Sequence, residues 1–267
     1  MPRFFAVTAL LLLLAACATT GPGGQKSLII IPTSQEVSIG AGMAQQVEAE
    51  EKVLADPQWQ AYINEVGQKI VAVCDRHDIE YHFTVIESDQ VNAFAAPGGY
   101  IYFYTGLLKQ MDSEAQVAAV MAHEISHVVA RHGIKRLQTS LGVAAAYELV
   151  FGDEGASQVL GTAISAGMNL LLADYSRDNE READQYGIHY MVKAGYDPAG
   201  ALGMFEKLAA LGAQQGEASS FEKLVSTHPE TQERIANATK QIAEMKPLPP
   251  GLSSGTERYQ SMKRRLH

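Results

Sequence analysis

The sequence predicts an α+β fold that is mostly helical, with a small sheet packed on one central helix. Three observations predict it. Several segments carry apolar residues at three- and four-residue spacing, the period of a helix. One stretch switches to period two: Tyr81, Phe83 and Val85 alternate with His82, Thr84 and Ile86, as in a strand. The third is His123-Glu124-Ile125-Ser126-His127, an H-E-x-x-H inside a run that is apolar nearly all round.

The whole chain sets outer bounds. Its 267 residues suffice for one large domain or two small ones. A hydrophobic content of 46% with 19% charged residues is ordinary globular composition. The net charge of −9 and the missing basic stripe argue against nucleic acid as a partner. Lys263-Arg264-Arg265 reads as a solvated tail. Arg3 followed by the apolar run Phe4 to Ala16 is too short to span a membrane and fits a secretory signal over residues 1–16. The run ends Leu14-Ala15-Ala16-Cys17, which resembles a bacterial lipobox, so Cys17 is expected to carry lipid. Residues 17–33 then read as a lipidated tether. Ala18 is not the Asp that signals inner-membrane retention, which points to the outer membrane. Cys74 is left unpaired and reads as a small buried hydrophobe at a helix end.

The elements follow in order. Thr33-Ser34-Gln35-Glu36 starts a helix that runs towards Leu54, and the folded domain spans residues 34–245. Asp56-Pro57 starts a second, with Trp59, Tyr62, Ile63, Val66 and Ile70 on its apolar face. After the strand, Val91 to Ala95 and Tyr100 to Tyr104 flank the turn Ala96-Pro97-Gly98-Gly99, a hairpin or tight bend. Thr105 to Met111 is a short helix. Asp112 or Ser113 caps the H-E-x-x-H helix, and Gly133 can end it. Leu141 to Leu172 reads as two packed helices broken near Gly152–Gly155. Asp174 or Ser176 starts a helix ended by Gly195, and Asp197-Pro198 starts the next. Ser226-Thr227-His228-Pro229 precedes a final helix to about Met245, and residues 246–267 read as a flexible tail.

The chemistry lies in two helices. His123 and His127, four apart, share a helix face and can reach one metal ion. Glu124 points about 100° round from His123 and can hold a water there. By chance, such a motif should occur in on the order of one or two chains in a hundred, so it needs a third ligand. Glu180-Arg181-Glu182-Ala183-Asp184 supplies candidates: Glu180 and Asp184 share a face, while Glu182 points nearly opposite. Asp184 can accept a hydrogen bond from a ligand histidine's other ring nitrogen. His132 falls one residue off the last ligand of a metzincin and reads as facing the carbonyl end of its own helix.

H-E-x-x-H followed by E-x-x-x-D on a later helix resembles the zinc metallopeptidase family of the CAAX prenyl proteases, HtpX and BepA. Asn92-Ala93-Phe94-Ala95-Ala96-Pro97-Gly98-Gly99-Tyr100, Ser176-Arg177, and Ser226-Thr227-His228-Pro229 with Arg234 are similar to it too. The resemblance implies a zincin-like domain and a zinc-dependent endopeptidase holding one Zn(2+) per chain. His123, His127 and Glu180 would be its ligands, and Glu124 its general base and acid. His228 would lie near the zinc, as a donor to the oxyanion or as a latch on the open site; the latch is the reading adopted. Substrate would add as a strand along Asn92, Ala93, Phe94 and Ala95. The implied location is the periplasmic face of the envelope, and the implied substrates are unfolded or misassembled envelope proteins, with the envelope assembly machinery as a partner. The rival is a latent or non-enzymatic zinc-containing assembly lipoprotein.

Overall fold

The computed structural model describes residues 17–19, 22–24, 26–151, 156–171, 173, 175–214 and 231–266. Near the start, β1 (Cys17–Thr19) pairs antiparallel with β2 (Lys26–Leu28). The main sheet comprises β3 (His82–Ile86), β4 (Ala93–Ala96) and β5 (Tyr100–Tyr104), in the order β3-β5-β4. The helices are α1 (Thr33–Glu50), α2 (Pro57–Val71), α3 (Thr105–Gln110), α4 (Glu114–Val129), α5 (His132–Phe151), α6 (Ala156–Leu171), α7 (Arg177–Lys193), α8 (Ala199–Gln214), α9 (Thr231–Glu244) and α10 (Thr256–Lys263). No helix among the described residues is long and apolar enough to cross a membrane.

The local signals act as their chemistry dictates. Asp56 accepts from the backbone N–H groups of Gln58 and Trp59, with Pro57 opening α2. Ser113 caps α4 through the Gln116 N–H, and Ser176 caps α7 through the Asn179 N–H. Gly195, at φ 88°, takes the left-handed position after α7. The β4–β5 hairpin turns through Pro97–Gly99, where Gly98 needs φ 77°.

Period two divides the sheet between two cores. Phe83, Val85, Ala93, Ala95, Ile101 and Phe103 face the main core, which α2, α4, α7 and α8 complete. Phe94, Tyr102 and Tyr104 face the opposite way, onto Ala44 and Val47 of α1. The parallel β3–β5 pairing, Phe83 opposite Ile101 and Val85 opposite Phe103, is long-range and carried no local signal. The helix of the H-E-x-x-H is α4, buried along almost its whole length.

Three expectations change. Gly133 does not end α4; it lies inside α5. The break falls on Arg131, which takes φ 54° with a full side chain. Its guanidinium is held by the Ile31 carbonyl at 2.8 Å and by Glu36 Oε2 at 2.7 Å, contacts that no glycine could make. The expected tether over 17–33 is folded in part: β1 and β2 pair, and Ile29 and Ile31 are buried. The expected flexible tail over 246–267 carries α10, and Tyr259 is fully buried. Its ring meets Trp59 edge-on at 6.3 Å, and its hydroxyl donates to the Leu108 carbonyl. Arg258 Nη1 lies 3.0 Å from Glu114 Oε2, and Lys263 Nζ donates to the Met111 carbonyl at 2.7 Å. Proline and polar composition concealed this segment because its docking groups, Tyr259, Arg258 and Lys263 among them, form no periodic apolar face.

A docked segment has a measurable consequence. Tyr259→Ala should destabilise the protein by about 3–5 kcal/mol, as for other large-to-small aromatic changes in a core. Urea denaturation reads this directly; a shift of a few tenths would mean that residues 256–266 do not belong to the folded domain.

Candidate metal centre

Two helices build the centre. His123 and His127 project from α4, and Glu180 comes from the first turn of α7. Gly187 lets the helices approach, since a Cβ there would lie 3.1 Å from the His123 backbone nitrogen. His123 Nε2 and His127 Nε2 are 3.0 Å apart. Glu180 Oε2 is 3.5 Å from His123 Nε2, and Glu180 Oε1 is 3.3 Å from His127 Nε2. One donor atom from each of the three residues lies within 4.8 Å of the others, and all three residues are buried.

The surroundings complete the arrangement. His123 Nδ1 lies 2.8 Å from Asp184 Oδ1. Arg234, from α9, grips Asp184 through Nε at 2.7 Å and Nη2 at 2.6 Å, and its Nη1 lies 3.3 Å from Glu180 Oε2. The Tyr175 ring stacks on His127 with centroids 4.1 Å apart. His127 Nδ1 is 2.9 Å from His132 Nδ1, and His132 Nε2 is 3.1 Å from Glu182 Oε2. Glu124 is buried on α4 and acts electrostatically on both Arg234 and Tyr175.

The charges fit a cation. Burial alone would push the His123 imidazole down, but Glu180 and Asp184 overcome it and hold it up at about 9. Burial holds His127 well below its ordinary value. Burial would raise the Asp184 carboxyl, but Arg234 and His123 keep it below the usual range. The negative charge of the cluster thus lies on the Glu180 and Asp184 carboxylates, beside two imidazole Nε2 atoms that face each other. Two imidazoles and one carboxylate of this spacing form a donor set suited to a divalent metal.

Sequence reasoning paired Asp184 with a ligand histidine, and the structure brings these groups into contact. It missed how His132 is used. That residue does not serve the carbonyl end of α4; it opens α5 and turns onto His127 and Glu182. The signal was present as a histidine five residues beyond His127, but the left-handed turn at Arg131 was not legible. Asn92 precedes the edge strand β4, and Ala93, Phe94 and Ala95 lie in it; all four are buried. Cys17 opens β1. His228, Asp174 and residues 1–16 lie outside the described residues.

Asp184→Asn should weaken metal binding ten- to a hundredfold, the range for loss of a carboxylate behind a ligand histidine. Competition against a chromophoric chelator measures it, and unchanged affinity would remove Asp184 from the centre.

Residues 57–242 match peptidase family M48. A beta-barrel assembly-enhancing protease of Yersinia pestis is 30% identical over 227 residues, covering 82% of this chain and 46% of that protein. The mitochondrial metalloendopeptidase OMA1 of Schizosaccharomyces pombe is 33% identical over 184 residues, covering 68% of this chain and 53% of its own length. The metalloprotease YcaL of Escherichia coli (strain K12) is 30% identical over 170 residues, with 62% and 63% covered. The chain spans about half the length of the beta-barrel assembly-enhancing proteases it matches. The matched residues hold both α4 and α7, and with them the whole donor set: the chain belongs to peptidase family M48, and its domain is that of a metalloprotease hydrolase.

Proposed function

We propose that this protein is a zinc-dependent endopeptidase of the bacterial envelope that cleaves unfolded or misassembled proteins. The observation that carries the reading is the buried His123, His127 and Glu180 cluster with Glu124 on the same helix. A structural zinc site has no use for Glu124, whereas hydrolysis needs a base beside the ligands. The zinc, when bound to the three ligands, supplies Lewis acidity to the scissile carbonyl and acidifies water at the site. The Glu124 carboxylate takes a proton from the attacking water and delivers it to the leaving amine as the C–N bond breaks. Arg234 and Asp184 hold the ligand side of the centre in place during this exchange.

Substrate binding follows from the sheet. β4 is an edge strand, and the Tyr104 N–H donates to the Asn92 carbonyl. By antiparallel alternation Phe94 also faces β5, so the main-chain groups of Ala93 and Ala95 point away from it, along an edge that is buried here and has to be uncovered before a peptide can add. A peptide added there pairs through its own main chain, which favours extended, unfolded segments. The relatives named for β-barrel assembly favour outer-membrane protein assembly as the setting. An acyl chain on Cys17 would hold the protein at the periplasmic face of the outer membrane.

One observation favours the second reading, a latent or non-enzymatic zinc lipoprotein: His123, His127 and Glu180 are only 5%, 2% and 3% exposed. A substrate would have to open the site. Two variants separate the readings. Glu124→Gln should retain zinc and fold while peptidase activity on an unfolded protein falls by several orders of magnitude; undiminished cleavage would sink the mechanism. We further propose that His228 controls access as a latch. His228→Ala should then raise cleavage of unfolded protein and make zinc easier to chelate. A fall of roughly a hundredfold would instead mark His228 as a donor to the transition state.

A further inference from the structure

The two ligand histidines are tied off differently. His123 reaches a carboxylate directly, at Asp184. His127 Nδ1 lies 2.9 Å from another imidazole nitrogen, His132 Nδ1, and the far side of that ring lies 3.1 Å from Glu182 Oε2. The proton positions follow. His127 Nε2 faces His123 Nε2 and Glu180 Oε1 at 3.0 and 3.3 Å; as a metal ligand this nitrogen gives its lone pair to the ion and carries no hydrogen. The neutral ring then holds its hydrogen on Nδ1 and donates it to His132 Nδ1. His132 must be bare at that nitrogen, so its hydrogen sits on Nε2 and is donated to Glu182.

We propose that His132 and Glu182 form a positioning relay that fixes the tautomer and ring orientation of His127. The inference rests on His127 being a metal ligand. His132 is fully buried, and a polar ring placed there needs partners for its nitrogens. Glu182 Oε1 is buried with no hydrogen bond, so the contact of Oε2 with His132 is the one hydrogen bond that this carboxylate makes among the described groups. The chain places the relay deliberately. Arg131, held left-handed by Ile31 and Glu36, breaks α4 and starts α5 at His132. That turn swings the imidazole back onto His127, while Tyr175 stacks on the His127 ring at 4.1 Å. Glu182 shares α7 with Glu180 and Asp184, so one helix serves the ligand set and both supports.

The test uses the whole protein and zinc or cobalt(II) alone, with no substrate. His132→Phe should lower metal affinity ten- to a hundredfold and alter the visible absorption of the cobalt form. His132→Asn, whose amide oxygen can accept from His127 Nδ1–H, should recover most of that loss. Glu182→Leu, at a partly exposed position, should lower affinity several-fold and carries the test if His132→Phe fails to fold. Nitrogen-15 spectra of the unaltered zinc-loaded protein should show hydrogen on His127 Nδ1 and on His132 Nε2, with coupling across the bond between the rings. Unchanged affinity in His132→Phe, or equal losses in the Phe and Asn variants, would overturn the relay while leaving the metal site standing. Hydrogen on His132 Nδ1 would overturn it as well. Failure of the unaltered protein to take up either metal would overturn the ligand reading and the relay together.

Discussion

The fold depends on one constraint: α4 is buried along nearly its whole length yet carries two histidines and a glutamate. Burying such groups without partners is costly, so the elements around α4 must bring polar groups to them. α7 supplies Glu180, Glu182 and Asp184, and α9 supplies Arg234. The close α4–α7 approach at Gly187 is what lets these groups meet the histidines of α4. Ala118, Met121 and Ile125 on the same helix need nothing more specific than packing.

Much of this was legible from local chemistry. Ser113, Asp56 and Ser176 cap helices because their side-chain oxygens match the orphan N–H groups, a relation set within three residues. The face shared by Glu180 and Asp184 follows from helical period alone. What was not legible is set by distant partners. Arg131 ends α4 in a conformation that propensity assigns to glycine, because Ile31 and Glu36 hold it from about a hundred residues away. Tyr259 docks a polar, proline-bearing segment onto Trp59, which no window of sequence reveals. His132 was visible as a residue, but its role depends on the turn that precedes it.

The buried charges away from the His123, His127 and Glu180 cluster form a second system. Glu36 meets both Arg76, at 2.8 Å, and Arg131, at 2.7 Å, with all three side chains buried. Such a cluster contributes less to stability than hydrophobic groups of its size, because desolvation offsets most of the attraction. Its value here is geometric. Arg76 Nη1 also donates to the Val128 carbonyl at 2.9 Å, in the last turn of α4.

That contact shows how α4 is held. At its C-terminal end, the Arg76 cation satisfies a carbonyl and complements the helix dipole, and Arg131 fixes the exit. At its N-terminal end, Glu114 complements the dipole with opposite sign and accepts from Tyr62, Tyr196 and Arg258. These partners come from α2, the segment after α7, and α10. Both ends of the helix are thus clamped by charge-assisted bonds to segments remote in sequence. Two imidazoles on a helix held at both ends have a defined separation, which is what a metal centre needs. Rigidity is built into the element that carries His123 and His127, and any exposure of the cluster must come from the elements packed over it.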